Sequence, residues 1–213
     1  MKRFQVAIAS SKGGVGKSAV SIHVCHALSK KGLKVVLADA DSNQSSTYWA
    51  ERAEQNGHDL GFAVIDGISG NVPSDCDFLW IDTQGNPDLS ELGDLSRNMD
   101  LVVLPCGVDA GEVTATLKSI QEAKLEVSDY KILLTRVPPR PNKRGETLHN
   151  QLEEAGLPVF DLSIQHRICH YDANESGLTL GQMKGRAAKA GAKEYANLAD
   201  EILKLVEKNH EPG

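Results

Sequence analysis

Short apolar runs alternate with longer amphipathic stretches along the chain. Phe4–Ala9 (FQVAIA), Lys34–Ala38 (KVVLA), Phe78–Ile81 (FLWI), Leu101–Leu104 (LVVL) and Lys131–Thr135 (KILLT) are nearly continuous apolar segments of strand length. That pattern suits strands covered on both faces of a parallel sheet. Between them apolar positions recur at helical spacing. Ala19–Lys31 carries Val20, Val24, Ala27 and Leu28 on one face, and Gly32 follows as a C-terminal stop. Further helices are expected over Ser45–Gln55, Asp88–Arg97, Ala110–Glu126, Gly145–Ala155 and Ala187–Lys208. The alternation predicts a three-layer α/β fold with a mostly parallel central sheet flanked by helices. There is no internal repeat. The one linker-like stretch, Val137–Arg144 (VPPRPNKR), has the length of a surface loop, so residues 1–213 are expected to form one domain.

Composition narrows the class. The 213 residues are 40% apolar and 24% charged, enough to bury a proper core. No apolar run approaches the roughly 20 residues that span a bilayer, and Phe4–Ala9 is too short for a signal peptide. A soluble cytoplasmic protein is the expectation. Cys25, Cys76, Cys106 and Cys169 lie far apart without a Cys-x-x-Cys pair, so they are expected to be reduced, mostly buried thiols rather than zinc ligands. The net charge of −6 argues against a surface coated in positive charge for nucleic acid, though not against a local basic patch.

The most informative stretch is Ser10–Ser18, SSKGGVGKS, between the first expected strand and the first helix. A phosphate needs backbone N–H groups curled around it and the positive end of a helix dipole behind it. Gly13, Gly14, Val15 and Gly16 supply the cradle, with Lys17, Ser18 and Ala19 opening the helix. Lys17 would reach the β- and γ-phosphates and the Ser18 hydroxyl would ligate Mg²⁺. Two strand-end carboxylates, Asp39 and Asp41, follow in VVLADADSNQSS, and Asp82 closes the apolar run of FLWIDTQG. A parallel sheet presents such strand ends to a ligand, where carboxylates hold a metal or orient water. Helix capping is the other use of the Asp39–Asp41 pair.

The loop departs from the common G-x-x-x-x-G-K-[ST] pattern: Ser11 stands at the first glycine position and Lys12 follows. The form K-G-G-x-G-K-[ST] is a deviant Walker A motif, and on it the chain resembles the ParA/MinD family of P-loop ATPases over nearly its whole length. The resemblance is closest to short ParA-type partition proteins. It implies a P-loop NTPase fold, ATP and Mg²⁺ as cofactors, and an ATP-sandwich homodimer in which Lys12 reaches the partner's nucleotide. Asp41 would position the attacking water, with Asp39 nearer the metal's water shell and Asp82 holding Mg²⁺ through water. Ser42 and Asn43 replace the family's usual Pro-Gln after Asp41, and Gln84 stands in a segment usually read D-T-P. ILLTR, ending at Arg136, resembles the strand and loop that contact adenine, with the Pro-rich continuation through Pro141 flanking the base. Pro105 and Asp109 match positions on the dimer face, and equally suit a turn and a helix cap.

Charge is locally segregated. Lys131, Arg136, Arg140, Lys143 and Arg144 form one basic run without an acidic residue, and Lys184, Arg186, Lys189 and Lys193 form another. Partition ATPases of this family bind nonspecific DNA through C-terminal basic residues, which points to Arg140, Lys143, Arg144, Arg167, Lys184, Arg186 and Lys189. Solvated loop and helix faces would look the same. No aromatic residue interleaves with these charges, so any DNA binding would ignore sequence.

The resemblance therefore implies a weak ATPase for plasmid or chromosome partition, stimulated by a centromere-binding or cargo adaptor protein and associated with the nucleoid. A positioning ATPase for a protein cargo, such as a chemoreceptor cluster or microcompartment, is the alternative. The chain begins at its first strand, so operator binding is expected of a partner. A MinD-like membrane cycle fits less well: EILKLVEKNHEPG lacks an aromatic residue and carries Glu201 and Glu207, so no membrane contact is expected. An iron–sulfur carrier or a small-molecule ligase on the same fold is a third reading; a bridging cluster would want two suitably spaced cysteines, which Cys76 and Cys106 are not.

Overall fold

The computed structural model describes residues 3–139 and 143–208. Its elements run β1 (Phe4–Ser10), α1 (Lys17–Ser29), β2 (Val35–Ala40), α2 (Ser45–Gln55), β3 (Ala63–Asp66), β4 (Phe78–Gly85) and α3 (Leu89–Asn98). Then come β5 (Leu101–Cys106), α4 (Ala110–Glu122), β6 (Tyr130–Val137), α5 (Lys143–Glu154), β7 (Val159–Gln165), α6 (Cys169–Ser176) and α7 (Arg186–Lys208). The strands form one sheet in the order β3-β2-β4-β1-β5-β6-β7, and every neighbouring pair is parallel.

Alternation along the central strands builds the two outer layers. On β5, Leu101 and Val103 face a core shared with Val20, Ile22, Leu28, Trp49, Leu198 and Ile202, which places α1, α2 and α7 on that side. Val102, Leu104 and Cys106 face the opposite side, where Leu92, Ile120 and Leu152 bring α3, α4 and α5 onto the sheet. The four cysteines are free, three of them buried and Cys169 partly so.

Two boundaries matter for the site. β2 continues to Ala40 and β4 to Gly85, beyond the apolar runs that announce them, and the register sets Asp39 directly beside Asp82. Helix α1 begins at Lys17 because Gly16, at φ 94°, turns the loop into it through a left-handed residue. β3, β7 and α6 have no counterpart among the expected elements. β3 is a four-residue edge strand with exposed ends, and Asp161 and Ser163 interrupt the apolar run of β7 at the other edge. No described helix is long and apolar enough to cross a membrane.

Candidate nucleotide site

The loop between β1 and α1 is shaped to surround an anion. Gly14 and Gly16 take φ 75° and 94°, conformations that a side chain strongly disfavours, and a Cβ at Gly13, Gly14 or Gly16 would meet nothing within 4 Å. Gly16 caps α1 without a side-chain hydrogen bond, so no side chain covers the helix's first amides. The rest of the loop is tied down. Ser10 Oγ donates to the Lys12 carbonyl at 2.8 Å, and Thr135 Oγ1 on β6 donates to the Val15 carbonyl at 2.9 Å. Ser18 and Ala19 are half-buried and Val15 is buried. Lys17 is buried too, and its Nζ lies 3.7 Å from where a Cβ on Gly85 would stand, so the end of β4 closes over it.

Asp82 sits at the base of the loop with no solvent exposure. Its Oδ2 accepts from Ser46 Oγ at 2.8 Å, and the Ser18 hydroxyl lies close enough to favour its charged form. Its Oδ1 is buried without a partner. Burial pushes this carboxyl up to about 6, opposed by the two serines and Lys17 and assisted by the neighbouring Asp39 charge. An orphaned buried carboxylate oxygen beside a helix-opening serine is the donor set a divalent cation with its water shell requires.

The other two carboxylates are held by their own turn. Asp39 Oδ2 accepts from the Thr47 amide at 2.8 Å and hydroxyl at 2.9 Å, and its Oδ1 accepts from the Asp41 amide at 3.2 Å. Asp39 thus caps the start of α2 as well as standing beside Asp82. Asp41, 8% exposed, accepts on Oδ1 from the Asn43 amide at 2.9 Å and Nδ2 at 3.0 Å. This is an Asx turn, and Gln44 at φ 50° feeds the chain into α2.

Lys12 points outward, its side chain 54% exposed, and lies 3.6 Å from Glu112 on α4. Arg136 donates to the same carboxylate oxygen at 2.5 Å. Beside the loop a cavity of about 190 Å³ opens between the ends of β6 and β7, α1, α2 and α6. It is lined by Gly14, Gly16 and Ala19 from the loop and helix, Thr135 and Arg136 from β6, Gln165 at the end of β7, His166 and Arg167 after it, and Tyr171 from α6. Arg136, expected near the adenine, lines this cavity. The remaining wall includes Trp49 on α2, His170 and Asn174 on α6 and Tyr195 on α7; Pro141 lies outside the described residues.

The residues expected at a DNA surface divide. Lys184, Arg186 and Lys189 are exposed around the start of α7, and Lys143 and Arg144 at the start of α5; none is paired with a carboxylate among the described residues. Arg140 lies outside the described residues. Arg167 is set apart from them: it makes two 2.5 Å contacts with Glu194 and lines the cavity, only 13% exposed.

Sequence reasoning passed over Ser46, Thr135 and Glu112. Only Glu112 left a trace, as a carboxylate in an apolar context three residues after Asp109.

The chain resembles known proteins over most of its length. It is 28% identical over 204 residues to maintenance of carboxysome distribution protein A of Gloeobacter kilaueensis, covering 92% of this chain and 93% of that one. It is 27% identical over 199 residues to the protein ParA of Rhizobium radiobacter, covering 88% and 89%. The crystal structure of a plasmid partition protein from Borrelia burgdorferi B31 bound to AMPPNP superposes with a TM-score of 0.70 at 21% identity, over 95% of this chain and 99% of that one. Residues 6–180 match the model of the CobQ/CobB/MinD/ParA nucleotide binding domain. With its glycine loop, buried lysine and strand-end carboxylates, the chain belongs to that family of nucleotide-binding domains.

Proposed function

We propose that the chain is a ParA-type ATPase whose ATP-bound homodimer binds DNA without regard to sequence. The observation that carries this reading is the division of labour between the loop's two lysines, Lys17 buried under Gly85 and Lys12 projecting from the rim. A buried lysine serves the chain's own phosphates, whereas a projecting one is available to a nucleotide held by another copy.

In this reading Gly13–Ala19 bind the triphosphate, the cavity takes the base and ribose beside Arg136, and Ser18 and Asp82 hold Mg²⁺ with Asp39 supporting its water shell. Bound there, the metal would supply charge neutralisation for the transferred phosphoryl group. Asp41, fixed by Asn43, orients the attacking water. Hydrolysis is slow alone and faster with an adaptor, because the step that resets the switch depends on assembling the dimer. The chain works as one unit, and Lys143, Arg144, Lys184, Arg186 and Lys189 face the DNA. The cargo is a plasmid or chromosome; the likeness to a carboxysome distribution protein supports a protein assembly as the second reading.

The test is binding to a random-sequence duplex with ATP, ADP or no nucleotide. Binding confined to ATP, steeply weakened by salt, retained in Asp41→Ala and lost in Lys12→Ala is the expected result. Equal binding in all three nucleotide states, or none with the dimer intact, would refute the DNA reading.

A further inference from the structure

Glu112 is unusual among the described carboxylates. It is the third residue of α4, yet its side chain is only 7% exposed. Its Oε2 is buried without a hydrogen-bond partner and sits over Gly107, where a Cβ would stand 1.8 Å away. A side chain at 107 would have to displace it. The other oxygen is shared by two cations of the candidate site: Arg136 at 2.5 Å and Lys12 at 3.6 Å. Arg136 reaches it from a left-handed backbone, φ 52°, which a side chain adopts only when its surroundings impose it. A carboxylate sunk this far is tolerated only with its countercharges in place. Both of those countercharges belong to the nucleotide site.

We propose that Glu112 is a positioning residue that parks Lys12 against its own subunit until a nucleotide-loaded second copy draws the lysine away. The proposal rests on the reading that Lys12 engages nucleotide across the dimer. The two contacts differ in a way that suits this role. Arg136 is held at close range and keeps the carboxylate neutralised after Lys12 leaves. Lys12 is held at longer range, on a side chain more than half exposed, by a pair weak enough to be exchanged for a triphosphate. Parking therefore restrains the lysine without locking it: one such half-exposed pair opposes the lysine's departure by at most about fivefold. A two-fold dimer releases two of them, so dimerisation is disfavoured by up to about 25-fold.

The experiment measures the dimer dissociation constant by sedimentation of the full chain with AMPPNP and Mg²⁺. The variants are Lys12→Ala, Arg136→Ala, and Glu112→Gln in both the wild-type and Arg136→Ala backgrounds. The second background matters because Glu112→Gln alone also loosens Arg136. In the Arg136→Ala background, Glu112→Gln should tighten the dimer by up to about 25-fold. That gain should shrink as salt rises to about 0.5 M, which a packing defect would not do. If Lys12→Ala abolishes the dimer but Glu112→Gln tightens it in neither background, parking is wrong and the cross-subunit reading stands. If Lys12→Ala dimerises like the wild type, the cross-subunit reading falls and the parking proposal falls with it.

Discussion

Asp82 shows at one residue what a buried carboxylate without a full set of partners costs the protein that carries it. Its Oδ1 lacks a partner and its carboxyl titrates near 6 instead of the ordinary value of 3.8. Between those values the unfolded chain ionises while the folded one stays protonated. Stability is therefore lost as pH rises from about 4 to about 6, and the full cost, about 3 kcal/mol at most, is present above that. Asp82→Asn should accordingly raise the unfolding free energy in chelator at pH 7.5, and make little difference at pH 4. Urea titrations at the two pH values check this. A variant less stable than the wild type at pH 7.5 would mean that the Ser46 and Ser18 hydrogen bonds outweigh the buried charge.

At the scale of elements, α1 joins the phosphate loop to the core, and its inner face carries an aromatic cluster. His23, 3% exposed, packs against Trp49, Tyr195 and His170 with ring centroids 5.4, 4.7 and 5.8 Å away. Burial holds its pKa well below 6.5, and the His170 and His26 charges add to the effect. The folded chain refuses a proton that the unfolded chain accepts, so this contribution is complete above pH 6.5 and lost as pH falls below it. His23→Phe keeps a ring in the cluster without the titration, being slightly larger and giving up the long bond that Nδ1 accepts from the Leu180 amide. It should change stability at pH 7.5 by under about 1.5 kcal/mol while flattening the loss between pH 6.5 and 5. An unchanged slope would move the acid sensitivity to His26 and His170, whose pKa values burial also lowers.

Helix and strand positions were legible in the chain to the extent that one periodicity ruled each segment. The central strands and α1, α2, α3 and α7 follow their apolar patterns to within two residues where no ligand loop intervenes. β3 and β7 were not legible because an edge strand is covered on fewer sides and tolerates polar residues such as Asp161. The loop, Asp39, Asp41 and Asp82 stand out in the chain because a glycine-and-lysine run before a helix and carboxylates ending apolar strands are local patterns; the register then sets Asp39 beside Asp82. Glu112 and Thr135 do not: each acts through a contact across 100 or more residues, Glu112 to Lys12 and Thr135 to Val15, that only the fold creates.

For the whole molecule, strand order sets a gradient of stability. β1, β4 and β5 lie at the centre with residues almost wholly buried, whereas β3 has four residues with none buried and one neighbour. Amide exchange should therefore reach β3 and the 66–70 turn first and β1 last. Mass-spectrometric exchange resolves the order, and protection of β3 equal to that of β1 would mean that the sheet opens only by global unfolding. The 66–70 turn leans on the carboxylate strand: the Gly67 amide donates to the Asp39 carbonyl, and a Cβ on Gly67 would strike Ala40. Loosening at this edge consequently reaches toward Asp41.

Because all seven strands run the same way, every strand-end residue of the candidate site lies at one rim, and the chain's return turns lie at the other. The turn between α4 and β6, with Lys124 left-handed and Val127 59% exposed, belongs to that far rim. It is the natural mooring point for a dye, a fluorescent protein or a surface tether. A molecule anchored there keeps its working rim turned toward whatever it is meant to meet, so its cycle can be watched without being obstructed.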